Sequence, residues 1–362
     1  MPVTDFVSAV HDRTIRVALE PAHIALNSLV LLNKMDMMPG INEWVERTAV
    51  SLTPEQKQNN LLVLEGFYHA LEPHRSWSSF AAYLDYMEHE DPFVLRQRMF
   101  HMYENICSSP EKTGSTLDID NVLKTPGTYL DYLYDRFSAD HVNVQIETQA
   151  YHLLKDPPAM RAAIVGHLRQ MWTLVLADEW TQSRPLLQSS VDAFSQIDFS
   201  DMTPTEAAHT VIGKNLPGWW DKFLDRPKTP QFIFVPSPHL GPYIGSFKTT
   251  NIVWLLFGAK LPEGSLVNAP DLSRSELLVR VNALADDTRL RIMQLLKQEG
   301  ELRSQDVQQQ LGLSQSAGSR HLKQLSATGY ISERRVEGAK CYSLNTERIE
   351  NTLHALSYFL SG

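Results

Sequence analysis

The spacing of apolar and polar positions changes character along the chain. From Ala22 to about Trp180, apolar residues recur every three or four positions, which predicts helices that include Pro54 to Leu71, Pro92 to Ile106 and Pro158 to Trp180. Proline directly after Thr53 and after Asp91 supports helix starts there, because the first helical residue needs no amide donor. Three short runs depart from this period. Thr14 to Leu19 opens on β-branched residues, while Gln231 to Val235 and Asn251 to Phe257 are apolar and aromatic runs bounded by Pro and Gly, so all three read as strands. A small sheet joining the first run to the other two would close residues 1–267 into one α+β domain. The pattern also leaves open separate helical and mixed subdomains.

Residues 268–274, within VNAPDLSRS, read as a linker, because Pro270 and small polar residues interrupt both periods. The region 275–362 that follows carries the sharpest pattern. Helices are predicted over Glu276 to Ala285, from Asp286 or Asp287 through LADDTRLRIMQLL, over Ser304 to Leu311, and from Ser314 onward. In the second of these, Leu290, Met293 and Leu296 are expected to face inward, with Arg289, Arg291 and Lys297 in water. Ile331 to Val336 and Lys340 to Leu344 flank a Glu-Gly-Ala turn and read as a hairpin, and Thr346 to Leu360 closes the chain as an amphipathic helix. The expected class is mainly α with small β elements (α+β), with a C-terminal winged helix-turn-helix.

The candidate chemistry concentrates in that region. In QQQLGLSQSAGSRHLKQL, Gly312 supplies the freedom of a tight turn and the Ser314 hydroxyl can cap the next helix. Leu311, Leu313, Leu322 and Leu325 would hold two helices on the core. Gln315, Ser316, Ser319, Arg320 and Lys323 would then project outward, with Ser314 and His321 beside them. Such side chains can hydrogen-bond base edges or phosphates in a major groove, Arg favouring guanine and Gln adenine. Arg334, Arg335 and Lys340 load the hairpin with positive charge, as a wing touching phosphates or the minor groove requires. Gly318, inside a helix, should cost about 1 kcal/mol relative to Ala; close approach to DNA and simple tolerance both account for it.

These residues resemble the ArsR-type winged-helix bacterial repressors: ALADDTRLRIMQLL, LGLSQSAGSRHLKQL and GYISERRVEGAKCYSL occur in that family's order and spacing. The resemblance implies operator binding as a homodimer, with the module's first and last helices forming the two-fold interface. That maps to Leu277, Leu278, Val281 and Leu284, and to Ile349, Leu353, Leu356 and Leu360. Two departures matter. Where thiolate metal sensors of the family carry Cys-x-Cys, this chain has Arg303 and Gln305, and of the other common metal site it offers only Glu350 and His354. No metal and no cofactor is expected. Long family forms with an N-terminal domain of unassigned function are the nearest likeness for the rest, which adds no chemistry.

Composition sharpens the picture in one respect. The 362 residues carry a net charge of -9, which taken whole disfavours a nucleic-acid partner. Residues 274–362, however, hold 12 Lys or Arg against 10 Asp or Glu, a net of +2, leaving 21 against 32, or -11, for residues 1–273. The acidity belongs to the larger region. Two cysteines, Cys107 and Cys341, cannot build a disulfide framework and suit a reducing compartment, so a cytoplasmic protein is expected. The first twenty residues lack the apolar core of a signal peptide, and no apolar run approaches the roughly 20 residues of a membrane helix.

The N-terminal region is less informative. Glu88, His89, Glu90 and Asp91 suggest a metal cluster, but they scatter around a helix end, and Asp91 before Pro92 serves as a cap. No Walker A, GxGxxG or GxSxG motif occurs. FVPSPHLGPY, a stiff loop after a strand, and the bulky Trp219 and Trp220 could line an apolar pocket, with His239 and Tyr243 contributing; a strand-ending loop and ordinary core aromatics are the favoured account. The expected function is a transcriptional regulator that binds a double-stranded DNA operator as a homodimer and answers to a small-molecule effector or protein partner of its N-terminal domain. The alternative is an enzyme in residues 1–267 fused to an autoregulatory winged-helix module.

Overall fold

Strands from distant parts of the N-terminal region share a sheet in the computed structural model, which describes residues 14–38, 41–106, 117–139, 142–213, 231–260, 274–336 and 339–361. β1 (Thr14–Val17) pairs in parallel with β2 (Gln231–Ser237), with Thr14 opposite Gln231. β2 pairs in parallel with β4 (Ile252–Gly258), which β3 (Ile244–Lys248) joins antiparallel, giving the order β1-β2-β4-β3. β1, β2 and β4 are the three runs expected as strands; β3 is not among them, because IGSFK is too short and too mixed to announce a strand. β2 and β4 are apolar almost throughout because both faces are covered. Phe232, Phe234, Val253, Leu255 and Phe257 form one cluster with Phe194, Phe199, Ala207, Ala208 and Val211.

The chain divides into two units: Glu20–Lys34 with Trp44–Gln182, and Met1–Leu19, Met35–Glu43 with Ser183–Gly362. The first is helical. Its helix Pro21–Leu32 is buried at every position but Val30, which is why its sequence shows no polar face. Two helices predicted as continuous are interrupted by π-turns. Pro54–Leu61 passes through Leu62–Gly66 before Tyr68–Leu71, and Pro157–Met171 passes through Trp172–Leu176 before Ala177–Phe194. A π-turn adds one residue without breaking the helix, so the apolar period on either side hides it. At Gly66 a side chain would meet Ala150, its Cβ only 3.1 Å from that of Ala150.

A buried polar chain crosses this unit. The Asn60 side-chain amide donates to Leu29 O (2.9 Å) and Asn33 Oδ1 (2.7 Å), so its oxygen is left to accept from His167 Nε2 (3.0 Å). His167 is thereby held as the neutral Nε2–H tautomer, with Nδ1 buried and unpartnered. Burial lowers its pKa to about 4, because a second proton would place an unsatisfied charge in the core.

The second unit carries both the four-stranded sheet and the C-terminal module. Residues 268–273 of the expected linker lie outside the described residues, and the module's first helix is Arg274–Leu284. Then come Asp287–Glu299, β5 (Leu302–Arg303), Ser304–Leu311, Gln315–Thr328, β6 (Ile331–Val336), β7 (Ala339–Leu344) and Thr346–Ser361. The three strands form an antiparallel sheet in the order β5-β7-β6. Ile292, Met293, Leu296, Val307, Leu322, Leu325, Tyr330 and Tyr342 make its core.

Two outcomes test these packing statements. A Cβ on Gly258 would lie 2.2 Å from the Gly241 carbonyl oxygen, so Gly258→Ala must displace backbone and is expected to cost about 1–3 kcal/mol in denaturant unfolding. Because His167 is neutral when folded, the unfolded chain takes up a proton below about pH 6.5 that the folded chain refuses until about pH 4. Stability therefore falls with pH in that window, by up to about 1.4 kcal/mol per unit, and His167→Gln is expected to flatten the slope in urea titrations between pH 7 and 5.

Candidate nucleic-acid interface

The reading helix begins where the sequence places it. Gly312 adopts φ 66°, a conformation only glycine reaches cheaply, and closes the preceding helix. The amide of Ala317 then donates to Ser314 Oγ (3.2 Å), capping Gln315–Thr328. Leu322, Gln324, Leu325 and Thr328 are buried, leaving Gln315, Ser316, Ser319, Arg320 and Lys323 exposed along one outer stripe. Of the other candidates on this helix, Ser314 is occupied as the cap, and His321 turns inward, its Nδ1 3.7 Å from Asp286 Oδ1. Desolvation first, then Arg289 and Arg320, lower the His321 pKa against the opposing pull of Asp286. Gly318 faces the neighbouring helix: a Cβ would come 2.5 Å from Gln308 Cγ. Helix packing, rather than approach to DNA, accounts for the glycine.

The second helix corrects an expectation. Leu290 is 49% exposed and Arg289 only 8%, because the inward stripe runs Arg289, Ile292, Met293, Leu296. The Arg289 guanidinium donates to Ala283 O (2.6 Å), Asn282 O (2.8 Å) and Gln324 Oε1 (2.6 Å). It satisfies carbonyls that the end of the first helix leaves short of donors, and grips the reading helix at the same time. Asp286 caps this helix by accepting from the Arg289 amide (2.9 Å) and adds its charge 3.7 Å from the guanidinium. The pattern could not show this arrangement, because an arginine in an amphipathic stretch is ordinarily at the surface.

On the wing, both strands are present and the Glu337–Gly338 tip lies outside the described residues. Its cations are not equivalent. Arg334 is paired through two nitrogens with the Glu301 carboxylate, and Lys340 Nζ lies 2.8 Å from Glu333 Oε1. Among the described residues, neither Arg320 nor Arg335 is within ion-pair distance of a carboxylate. Residues 286–333 match the family of bacterial regulatory proteins described as the arsR family. The C-terminal region is an arsR-family helix-turn-helix domain. It makes this chain a DNA-binding transcriptional regulator. No curated protein and no solved structure gives a significant match to the chain.

The other sequence candidates of the arsR-family domain and its partner region sort as follows. Leu277 is buried and Leu284 and Ile349 pack on the domain's own core, so they have little surface for a second subunit. Leu278 (59% exposed) and Leu353 (52%) are open, with Val281 and Leu356 half-buried; the Leu360 side chain lies outside the described residues. Trp219 and Trp220 also lie outside them, while His239 and Tyr243 are buried in the loop between β2 and β3. Glu88, Glu90 and Asp91 go to separate partners, respectively Arg169, Arg98 and the Phe93 amide. Among the described residues no group of three His, Cys, Asp or Glu could hold a metal ion, and no helix is long and apolar enough to cross a membrane.

The wing's charge state yields a measurable contrast. Arg335→Ala is expected to weaken duplex binding evenly across sequences and to lower its salt slope by about 1, and Arg334→Ala, which removes a cation already paired with Glu301, to have a smaller effect. Glu301→Gln, which releases Arg334, should strengthen binding. Titrations at several salt concentrations check this, and an unaltered slope in Arg335→Ala would remove the wing from phosphate contact.

Proposed function

We propose that the protein is a repressor that binds an operator as a homodimer and is controlled by a ligand or partner of its N-terminal region. One observation carries the DNA half of this reading. The helix Gln315–Thr328 presents Gln315, Ser316, Ser319, Arg320 and Lys323 as a continuous polar stripe, while its opposite face is locked into the core. Arg320, with no carboxylate in ion-pair range among the described residues, is the side chain best suited to a guanine edge. Gln315 at the helix start suits adenine.

Leu278 and Leu353 support the homodimer. They stand exposed on the first and last helices of the domain, with Val281 and Leu356 beside them. Large aliphatic side chains more than half exposed on adjoining helices are what a two-fold seam would cover. Such a dimer would set two reading helices into successive major grooves, about 34 Å apart. The N-terminal region supports control because it holds a helical unit distinct from the unit that carries the reading head. An effector there would act by shifting the population of DNA-competent geometry.

Arg320→Ala is expected to weaken binding to a duplex selected by the wild-type chain by about 1–3 kcal/mol, with the dimer intact in native mass spectrometry. Leu278→Asp with Leu353→Asp should give a monomer and lose the two-site mode of binding. Unchanged affinity in Arg320→Ala would sink the assignment of the reading face, and a dimer surviving both aspartates would sink that of the seam.

A further inference from the structure

The loop Pro238–Tyr243 reaches the reading helix. The Lys323 ammonium lies over the Tyr243 ring, 5.9 Å from its centroid, within the range where a cation is held by an aromatic face. Tyr243 is 6% exposed, and its phenol also feels the charge of Arg289, the residue that grips Gln324 next to Lys323. One aromatic side chain therefore meets both the helix that reads DNA and the residue that sets that helix.

The loop is built to hold this position. Prolines 238 and 242 restrict its backbone, and the Tyr243 amide closes a turn on Leu240 O (3.1 Å). Asn42 clamps it from outside, its amide donating to His239 O (3.3 Å) and its side chain to Pro238 O (3.1 Å). Gly241 at φ 55° lays its carbonyl against Gly258, where no side chain fits. A loop pinned at both ends and in the middle moves as a body with the edge of the four-stranded sheet.

We propose that this loop restrains DNA binding: Tyr243 holds Lys323 in an intramolecular contact that must be given up before the ammonium can meet a DNA phosphate. The proposal rests on the reading of Gln315–Thr328 as the DNA-contacting helix. Tyrosine and phosphate compete for one cation in a domain whose net charge is only +2, so the loss of that contact is felt. By linkage, whatever displaces the loop strengthens DNA binding, and DNA binding loosens the loop to the same extent. The sheet region is thereby coupled to the reading head through a named pair of side chains.

The test is a double-mutant cycle on the full chain, with affinity measured for a duplex that the wild-type protein has selected from random sequence. Tyr243→Leu is expected to tighten binding about two- to five-fold, the range of an exposed cation–π contact, whereas Tyr243→Phe, which keeps the ring, stays near wild type. Lys323→Met should weaken binding, and in its background Tyr243→Leu should have no further effect. Hydrogen exchange on the wild-type protein provides a reading that needs no variant: residues 238–243 should exchange faster when DNA is bound. Weaker or unchanged binding in Tyr243→Leu, an additive cycle, or a loop protected by DNA would each overturn the proposal. A wild-type chain that selects no duplex would overturn the DNA-binding reading itself, and this proposal with it.

Discussion

The arrangement of the DNA-binding domain depends on one buried guanidinium. Arg289 joins the last carbonyls of helix Arg274–Leu284 to the Gln324 side chain of the reading helix, with Asp286 supplying countercharge. Burying a charge costs several kcal/mol, which is offset only when every donor is well placed; such groups contribute uniqueness of geometry more than net stability. Here the consequence is mechanical. The helix that carries Leu278 and the helix that carries Arg320 are tied together by these bonds, so a displacement of one is passed to the other.

Charge is used sparingly around that frame. The bulk of the chain is acidic, and the DNA-binding end holds a small surplus of cations, several already engaged: Arg334 by Glu301, Lys340 by Glu333, Lys323 by the ring of Tyr243. A domain with so small a surplus of cations is expected to gain little from the phosphate backbone alone, which leaves affinity to placed contacts. The same economy makes each engaged cation a point of control, since freeing one changes both affinity and salt dependence.

The sheet of the N-terminal region supplies a firm base for the loop between β2 and β3. Its central strands β2 and β4 are covered on both faces, and β1 is recruited across more than half the chain to pair with β2. The β2–β3 loop is braced against the sheet by prolines, by the Asn42 hydrogen bonds and by the close contact at Gly258.

Local signals determined much of this. Gly312, Ser314 and Asp286 act within a turn of themselves, and the hairpin and terminal helix follow from short-range alternation and periodicity, so the elements of the C-terminal domain were legible. β1, β2 and β4 were legible for the same reason, being apolar runs between breakers. What escaped is what depends on partners far along the chain. Arg289 reads as a surface cation until the carbonyls of 282 and 283 and the amide of Gln324 surround it; Gly318 reads as a weak helix position until Gln308 lies against it. The π-turns are hidden by intact periodicity, and the meeting of Tyr243 with Lys323 joins residues that no pattern relates. The sequence by itself determined the elements and the reading head, because caps, turns and apolar period act over a few residues. Only the tertiary structure decided which charges are buried, paired or held in reserve, because solvation and Coulomb energy depend on every group brought near.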